Sequence, residues 1–93
     1  MKKIPFKNIK KITDFLQEIW CLEDDGYVDR RKTEPKYRSI NRLLDNITKN
    51  KEERTKIYDA IEKELFNFQN FTYKPICNNL RDLGYEIIFE KNG

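Results

Sequence analysis

The side chains that could act as nucleophiles in this 93-residue chain are Cys21, Cys77 and Ser39. The sequence contains no histidine and only one serine. A serine or cysteine nucleophile ordinarily needs an adjacent base, and histidine is both the commonest such base and the commonest metal ligand. We therefore predict that the protein is not an enzyme and that both cysteines are small buried core residues. No catalytic residue, metal site or cofactor is expected.

Carboxylates gather around the predicted end of the first helix, at Glu18, Glu23, Asp24 and Asp25. Such a group can hold a metal ion or act as acid and base. The dipeptide at 25–26 is also typical of calcium loops, but Cys21 and Lys32 then fall where such a loop needs aspartate and glutamate. We interpret the group as a solvated acidic patch, and we predict that its last three members contact a basic partner.

Positive charge is concentrated in the first 42 residues, which carry 11 lysines and arginines against 7 acidic residues. The net charge of this segment, 11 minus 7 or +4, is weak beside dedicated nucleic-acid-binding proteins. Arg30, Arg31 and Lys32 nevertheless form a cluster, and arginine makes bidentate contacts to carboxylate and phosphate groups. We assign Arg30 and Arg31 to the predicted protein-binding surface. All three residues would contact phosphate if the partner were a nucleic acid.

The densest aromatic run lies between Phe66 and Tyr73. One interpretation places Phe68 and Phe71 at the end of the hydrophobic core. The other aromatic rings are harder to bury at the same time, and exposed rings beside amide side chains are typical of binding surfaces. We therefore predict that Phe66, Phe71 and Tyr73 contact the partner, and both interpretations of the run stay open.

Apolar spacing predicts four helices that would position these groups. The first carries a stripe from Ile9 to Trp20 and ends near Gly26. The second begins at Pro35, and the third begins at a capping box formed by Asn50 and Glu53. These helices account for most of the apolar residues in the chain, so the fold class is predicted to be mainly α.

The fourth helix is predicted from Pro75 to Leu83, followed by a strand over residues 85–89. This strand could pair with residues 27–33, pair with a second copy of the chain to give a homodimer, or lie extended over the helices. A chain this short forms one core. We predict a single helical domain over residues 1–93, a small four-helix bundle with a short C-terminal strand.

Residues 80–87, Leu-Arg-Asp-Leu-Gly-Tyr-Glu-Ile, resemble the junction between the recognition helix and the wing of winged-helix regulators. Residues 61–65 resemble the preceding helix of that family. The resemblance implies an alternative α+β winged-helix-like fold and an alternative function as a DNA-binding transcriptional regulator. The helix over 72–83 would then enter the major groove. The contacts that the resemblance implies there are Lys74, Asn78, Asn79 and Arg81.

Size and composition favour a particular kind of protein. No apolar run approaches the roughly 18 residues of a membrane span, and we expect neither a signal peptide nor a membrane partner. Two cysteines without an export signal suit the cytoplasm. The 13 lysines, 9 asparagines and 11 isoleucines are typical of A/T-rich genomes, including phages and mobile elements of low-GC bacteria. We expect a small binding protein, such as an inhibitor or immunity protein, that blocks a protein partner by steric occlusion. A nucleic-acid-processing enzyme or a toxin would be such a partner.

Overall fold

The computed structural model describes residues 2–24, 30–66 and 72–89, and these residues form four α-helices and a two-stranded parallel sheet. The elements are β1 (Lys2–Pro5), α1 (Phe6–Asp24), α2 (Arg30–Ile47), α3 (Lys51–Glu62), a short 3₁₀ helix (Lys63–Phe66), α4 (Lys74–Asp82) and β2 (Tyr85–Ile88). The predicted mainly helical fold, with four helices and a C-terminal strand, is confirmed.

The core is built around the apolar stripe of α1, as its spacing predicts. Its inward side chains are at most 1% exposed, and they are Ile9, Ile12, Leu16 and Ile19. From the other elements the core receives further side chains that are less than a tenth exposed, among them Ile40, Leu44, Ile57, Ile61, Leu65, Ile76 and Leu80. Every helix therefore contributes one apolar face to the same cluster, which is how amphipathic helices gain stability.

The partner of the C-terminal strand is a second strand at the opposite end of the sequence. β1 and β2 run parallel, with Ile4 beside Ile87 and Pro5 beside Ile88. Ile4 is fully buried and Ile87 nearly so. The predicted pairing with residues 27–33 is wrong from Arg30 onward because those residues are helical; residues 27–29 lie outside the described ranges. A parallel pair needs a crossover connection, and here the helices supply it.

The second helix begins earlier than its proline predicts. α2 starts at Arg30, so Pro35 lies in the second turn of the helix and not at its first position. Proline lacks the N–H that would donate to the carbonyl of Arg31, and its ring disfavours the helix interior. The hydroxyl of Ser39 donates to the Pro35 carbonyl at 3.0 Å. The early start extends α2 by about one and a half turns.

The predicted N-terminal cap of α3 is present, but Glu53, the second residue of the predicted capping box, bonds to other partners. The Asn50 side chain accepts the backbone N–H groups of Glu52 and Glu53 at 2.9 and 3.1 Å. In a capping box the Glu53 carboxylate would accept the Asn50 N–H. Here it does not, because the Asn50 N–H donates to Thr48. The carboxylate accepts the Thr48 hydroxyl at 2.6 Å and the Lys2 ammonium at 2.5 Å, and Thr48 in turn accepts the Asn50 N–H. The cap of α3 is thereby joined to β1.

The start and end of α4 largely match the sequence prediction. Pro75 lies in the first turn, and Gly84, with a φ of +97°, ends the helix in the left-handed region that glycine favours. Leu83 is not part of the buried stripe, because 43% of it is exposed. The strand that follows pairs in parallel with β1, so the antiparallel wing that the winged-helix resemblance implies is not formed by these residues.

Shortening Ile4 tests whether β1 is part of the core. Because its side chain is fully buried, we expect Ile4→Ala to lower the free energy of unfolding by about 2–5 kcal/mol, and Ile4→Val by about 0.5–1.5 kcal/mol. Urea unfolding followed by circular dichroism measures both values. A loss below about 1 kcal/mol for the alanine variant would show that β1 is not packed in solution.

Acid titration tests the link between β1 and the α3 cap. The hydrogen bond from Lys2, and then that from Thr48, lower the pKa of Glu53 below its ordinary value of 4.5. A lowered pKa means that the stabilisation is complete at neutral pH and disappears as the pH falls through the folded-state pKa. We expect wild type to be more stable than Glu53→Gln at pH 7, and the difference to shrink as the pH falls below 4.5 and through the lowered pKa of Glu53. A difference that stays constant with pH would contradict the ion pair.

Candidate functional site

Three aromatic rings from different parts of the chain meet at the surface where α1, α4 and β2 come together. The ring of Phe6 packs edge-to-face against Tyr73, with centroids 5.2 Å apart, and against Phe89, with centroids 5.0 Å apart. Phe6 and Tyr73 are half-buried, whereas 58% of Phe89 is exposed. The rings border a depression of about 260 Å³, here named the aromatic pocket. Its lining residues are Phe6, Tyr73, Lys74, Cys77, Arg81 and Phe89.

The charged groups of the aromatic pocket are both positive. Lys74 and Arg81 are exposed, and the residues that line the pocket include no carboxylate. Arg81 forms no ion pair with another residue of the pocket lining, and one of its guanidinium N–H groups donates to the Asn78 side chain at 3.4 Å. The pocket therefore combines an apolar wall with two cations at its border.

Cys77 forms the buried part of the pocket wall. Only 4% of this residue is exposed, which confirms the predicted core position. Burial raises the pKa of the Cys77 thiol, although the positive charge of Arg81 opposes the rise. A protonated thiol is a poor nucleophile, so Cys77 contributes apolar surface to the pocket.

Tyr73 connects the aromatic pocket to a larger groove. Its hydroxyl donates to a carboxylate oxygen of Asp14 at 3.3 Å, and burial, followed by the charge of Asp14, raises the pKa of the phenol. Asp14 also borders a groove of about 720 Å³ between α1 and α2, here named the α1–α2 groove. Its lining residues are Asp14, Gln17, Glu18, Cys21, Leu22, Lys32 and Lys36. The pocket and the groove therefore form one continuous surface.

The α1–α2 groove is more polar and carries both signs of charge. The Lys36 ammonium donates to the Glu18 carboxylate at 2.6 Å, an ion pair that joins the two helices. Cys21 borders the groove and is exposed, so its predicted core position is wrong. The physical reason is the helical period. Cys21 follows the buried Ile19 by two residues, so its side chain lies about 200° further around the helix, on the outward face.

The predicted protein-binding residues fall into two groups. Glu23 is exposed at the end of α1, and Arg30 and Arg31 are exposed at the start of α2, each within a residue or two of groove-lining positions. Tyr73 lies in the aromatic pocket. The predictions for Asp25 and Phe71, and for the side chains of Asp24 and Phe66, lie outside what the structure describes.

Three of the four residues that the winged-helix resemblance implies share one exposed face of α4, because Lys74, Asn78 and Arg81 are exposed and lie at positions i, i+4 and i+7. The Asn79 amide donates to the Ala60 carbonyl at 3.3 Å and to the Glu64 carboxylate at 2.9 Å, so it fastens α4 to the end of α3. Asn78 is exposed and accepts from Arg81. Lys74 and Arg81 belong to the aromatic pocket, and Lys32 to the α1–α2 groove.

The sequence does not predict Phe6 as part of a partner site, and it predicts Phe89 only within the strand over residues 85–89 that could pair with a second copy of the chain. Phe6 follows two lysines, an isoleucine and a proline, and this pattern predicts no binding site. The two residues lie near opposite ends of the chain, and the parallel pairing of β1 with β2 brings them together. No local spacing in the sequence signals such a contact.

The described residues contain neither a cluster of metal ligands nor a membrane-spanning helix. Residues 2–24, 30–66 and 72–89 contain no group of three or more cysteine, aspartate and glutamate side chains that could hold a metal ion. No helix in this part of the chain is long and apolar enough to cross a membrane.

Comparison of the chain with protein-family models, with curated proteins and with solved structures finds no match.

The two thiols are expected to differ in reactivity because one is exposed and the other is buried. A thiol-specific aromatic disulfide reagent should modify Cys21 in the native protein and modify Cys77 only after denaturation, since the reactive form is an accessible thiolate. Cys21→Ser should remove the fast phase, and Cys77→Ser should leave it unchanged. Equal native rates at both positions would show that the wall of the aromatic pocket is open to solvent.

Proposed function

We propose that the protein is a small non-enzymatic binding protein that attaches to a protein partner through the aromatic pocket and the adjoining α1–α2 groove. The observation that carries this proposal is the exposure of Phe89, an aromatic ring held against Phe6 on the surface. Rigid aromatic side chains with few rotatable bonds are the commonest anchors of protein interfaces.

The surroundings of Phe89 support the same function. The exposed ring is continuous, through Phe6, Tyr73 and Asp14, with the groove between α1 and α2. An apolar centre with a polar and charged border is the usual arrangement of a protein interface. The aromatic anchor and the charged border therefore have the composition of a recognition surface.

The mode of action that we propose is steric occlusion. The pocket is built on helices and a strand that share one core, so it is held rigidly and binding orders little of it. A bound protein of this size covers a partner's functional surface. The finer proposal is an inhibitor or immunity protein of a phage or mobile element, acting in the cytoplasm on a nucleic-acid-processing enzyme or a toxin. With a net charge of +3, it would act by specific contacts and not by imitating DNA.

Removing the exposed ring tests this function directly. The wild-type chain, immobilised through a flexible C-terminal tag, is incubated with nuclease-treated lysate of a low-GC bacterium, and captured proteins are quantified by mass spectrometry. We expect a discrete protein to be captured, and Phe89→Ser to reduce its recovery about tenfold or more, as loss of an interface anchor does.

Leu83→Ser provides the matched control, because Leu83 is also an exposed apolar residue but borders a different depression, between α3 and α4. This variant should capture the same protein as wild type does. Equal capture by Phe89→Ser and wild type would exclude the aromatic pocket as the binding surface.

Two results would favour the alternative functions. Recovery of nucleic acid alone from untreated lysate would favour the DNA-binding alternative, and a concentration-dependent dimer in light scattering would favour self-association through residues 85–89.

A further inference from the structure

We propose that the aromatic pocket binds an acidic segment of the partner, in which one apolar side chain is flanked by two carboxylates about three residues apart. This inference rests on the proposed function and specifies the chemistry of the partner at that surface. It follows from the size of the pocket, from the distribution of charge around it, and from the spacing of its two cations along α4.

The size of the aromatic pocket suits a single side chain. Its volume of about 260 Å³ lies below the range of about 300–1,000 Å³ that is typical of small-molecule sites. The edge-to-face packing of Phe6 with Tyr73 and Phe89 leaves an apolar recess with the buried Cys77 in its wall. One phenylalanine, leucine or methionine side chain from a partner would occupy such a recess.

The charge of the pocket selects the neighbours of that side chain. Lys74 and Arg81 are the charged residues that line it, and both are exposed. Carboxylates beside the apolar anchor would pair with them, and arginine can hold a carboxylate through two parallel N–H groups. Basic residues at the same positions would be repelled, so the pocket discriminates by sign of charge.

The positions of the two cations set the spacing of the carboxylates. Lys74 and Arg81 are seven residues apart on α4, which places them on the same face of the helix about two turns, or about 10 Å, apart. A peptide in the polyproline II conformation rises about 3.1 Å per residue with three residues per turn, so side chains three residues apart lie on the same side of it, about 9 Å apart. The anchor residue and one other residue then lie between the two carboxylates.

Neighbouring charges restrict the path of the acidic segment. Asp14, at the junction with the α1–α2 groove, accepts the Tyr73 hydroxyl, and Glu18 lies one turn further along α1. These carboxylates would repel an acidic segment that continued along α1. The segment therefore runs along α4 between its two cations, and the groove is left for other parts of the partner.

The arrangement of the rings favours a peptide over single-stranded nucleic acid, which also combines apolar rings with negative charge. Binding successive bases requires several ring faces open to solvent. Here Phe6 and Tyr73 are half-buried, and Phe89 is the exposed ring of the three. A single exposed ring beside a recess suits one anchoring side chain.

Fluorescence anisotropy with synthetic peptides tests the inference. The probe is a fluorescein-labelled ten-residue peptide of glycine and serine that carries glutamate, phenylalanine, serine and glutamate in succession at its centre. The comparison probes replace both glutamates by lysine, replace phenylalanine by alanine, or are a labelled twelve-nucleotide oligo(dT). We expect the acidic phenylalanine peptide to bind at least about tenfold more tightly than either peptide comparison, and more weakly at high salt.

Charge reversal of the pocket provides the second test. Lys74→Glu combined with Arg81→Glu should weaken binding of the acidic peptide about tenfold or more, and should strengthen binding of the lysine peptide. The matched control is Lys51→Glu combined with Lys56→Glu, which makes the same charge change on the exposed surface of α3 and should leave acidic-peptide binding unchanged. Arg81→Gln, a milder change, should give an intermediate loss. Circular dichroism confirms that each variant is folded.

The outcomes separate this inference from the proposed function. Equal binding of the acidic and lysine peptides, or insensitivity to the Lys74 and Arg81 reversal, would overturn the acidic-segment inference. The proposed function would survive that result if Phe89→Ser still abolished capture of the protein partner. Tight binding of oligo(dT) that the reversal abolishes, with no binding of the acidic peptide, would also overturn the inference and would assign the pocket to nucleic acid.

Discussion

The parallel pairing of β1 with β2 is the constraint on which the candidate site depends. Its register places Ile4 beside Ile87 and Pro5 beside Ile88, and the next residues after each strand end bring Phe6 against Phe89. Burial of the two isoleucines stabilises the pairing. The contact between Phe6 and Phe89 at the surface therefore follows from the buried pairing of Ile4 with Ile87, two residues earlier in each strand. A slip of one residue would turn the buried side chains outward and separate the rings.

The same pairing is supported from the other side of the molecule. Lys2, the first residue of β1, donates to Glu53, which also accepts from Thr48, and Thr48 accepts the N–H of the α3 cap residue Asn50. One exposed ion pair contributes little by itself. Here the ion pair has a positional role, because it fixes the first residue of a four-residue strand against a helix that belongs to the core. The strand is thus held by burial at its centre and by a polar network at its start.

The elements that the sequence predicts correctly are those whose signal is local, and the contacts that it does not predict join distant residues. The stripe of α1, the Asn50 cap and the glycine after α4 all follow from residues within a turn or two of each other, and the structure has them. β1 was missed because Lys2-Lys3-Ile4-Pro5 offers one buried side chain among two cations and a proline, which is too short a pattern to predict a strand. The predicted start of α2 is wrong because proline usually lies in the first turn of a helix, whereas Pro35 lies in the second turn. The predicted burial of Cys21 is wrong because it rests on the apolar neighbours Trp20 and Leu22 and not on the helical period.

The candidate site combines a part that local spacing predicts with a part that depends on contacts between distant residues. Its charged half, Lys74 and Arg81, lies on α4, where a spacing of seven residues places both on one face whatever the rest of the chain does. Its apolar half exists only when the two ends of the chain have paired. Charge attracts a partner over about a Debye length, whereas the anchor acts only on contact. In the proposed complex, selection by sign of charge would therefore be a property of one short helix. The tightness of binding would depend on the strand pairing, because that pairing builds the recess which the anchoring side chain must enter.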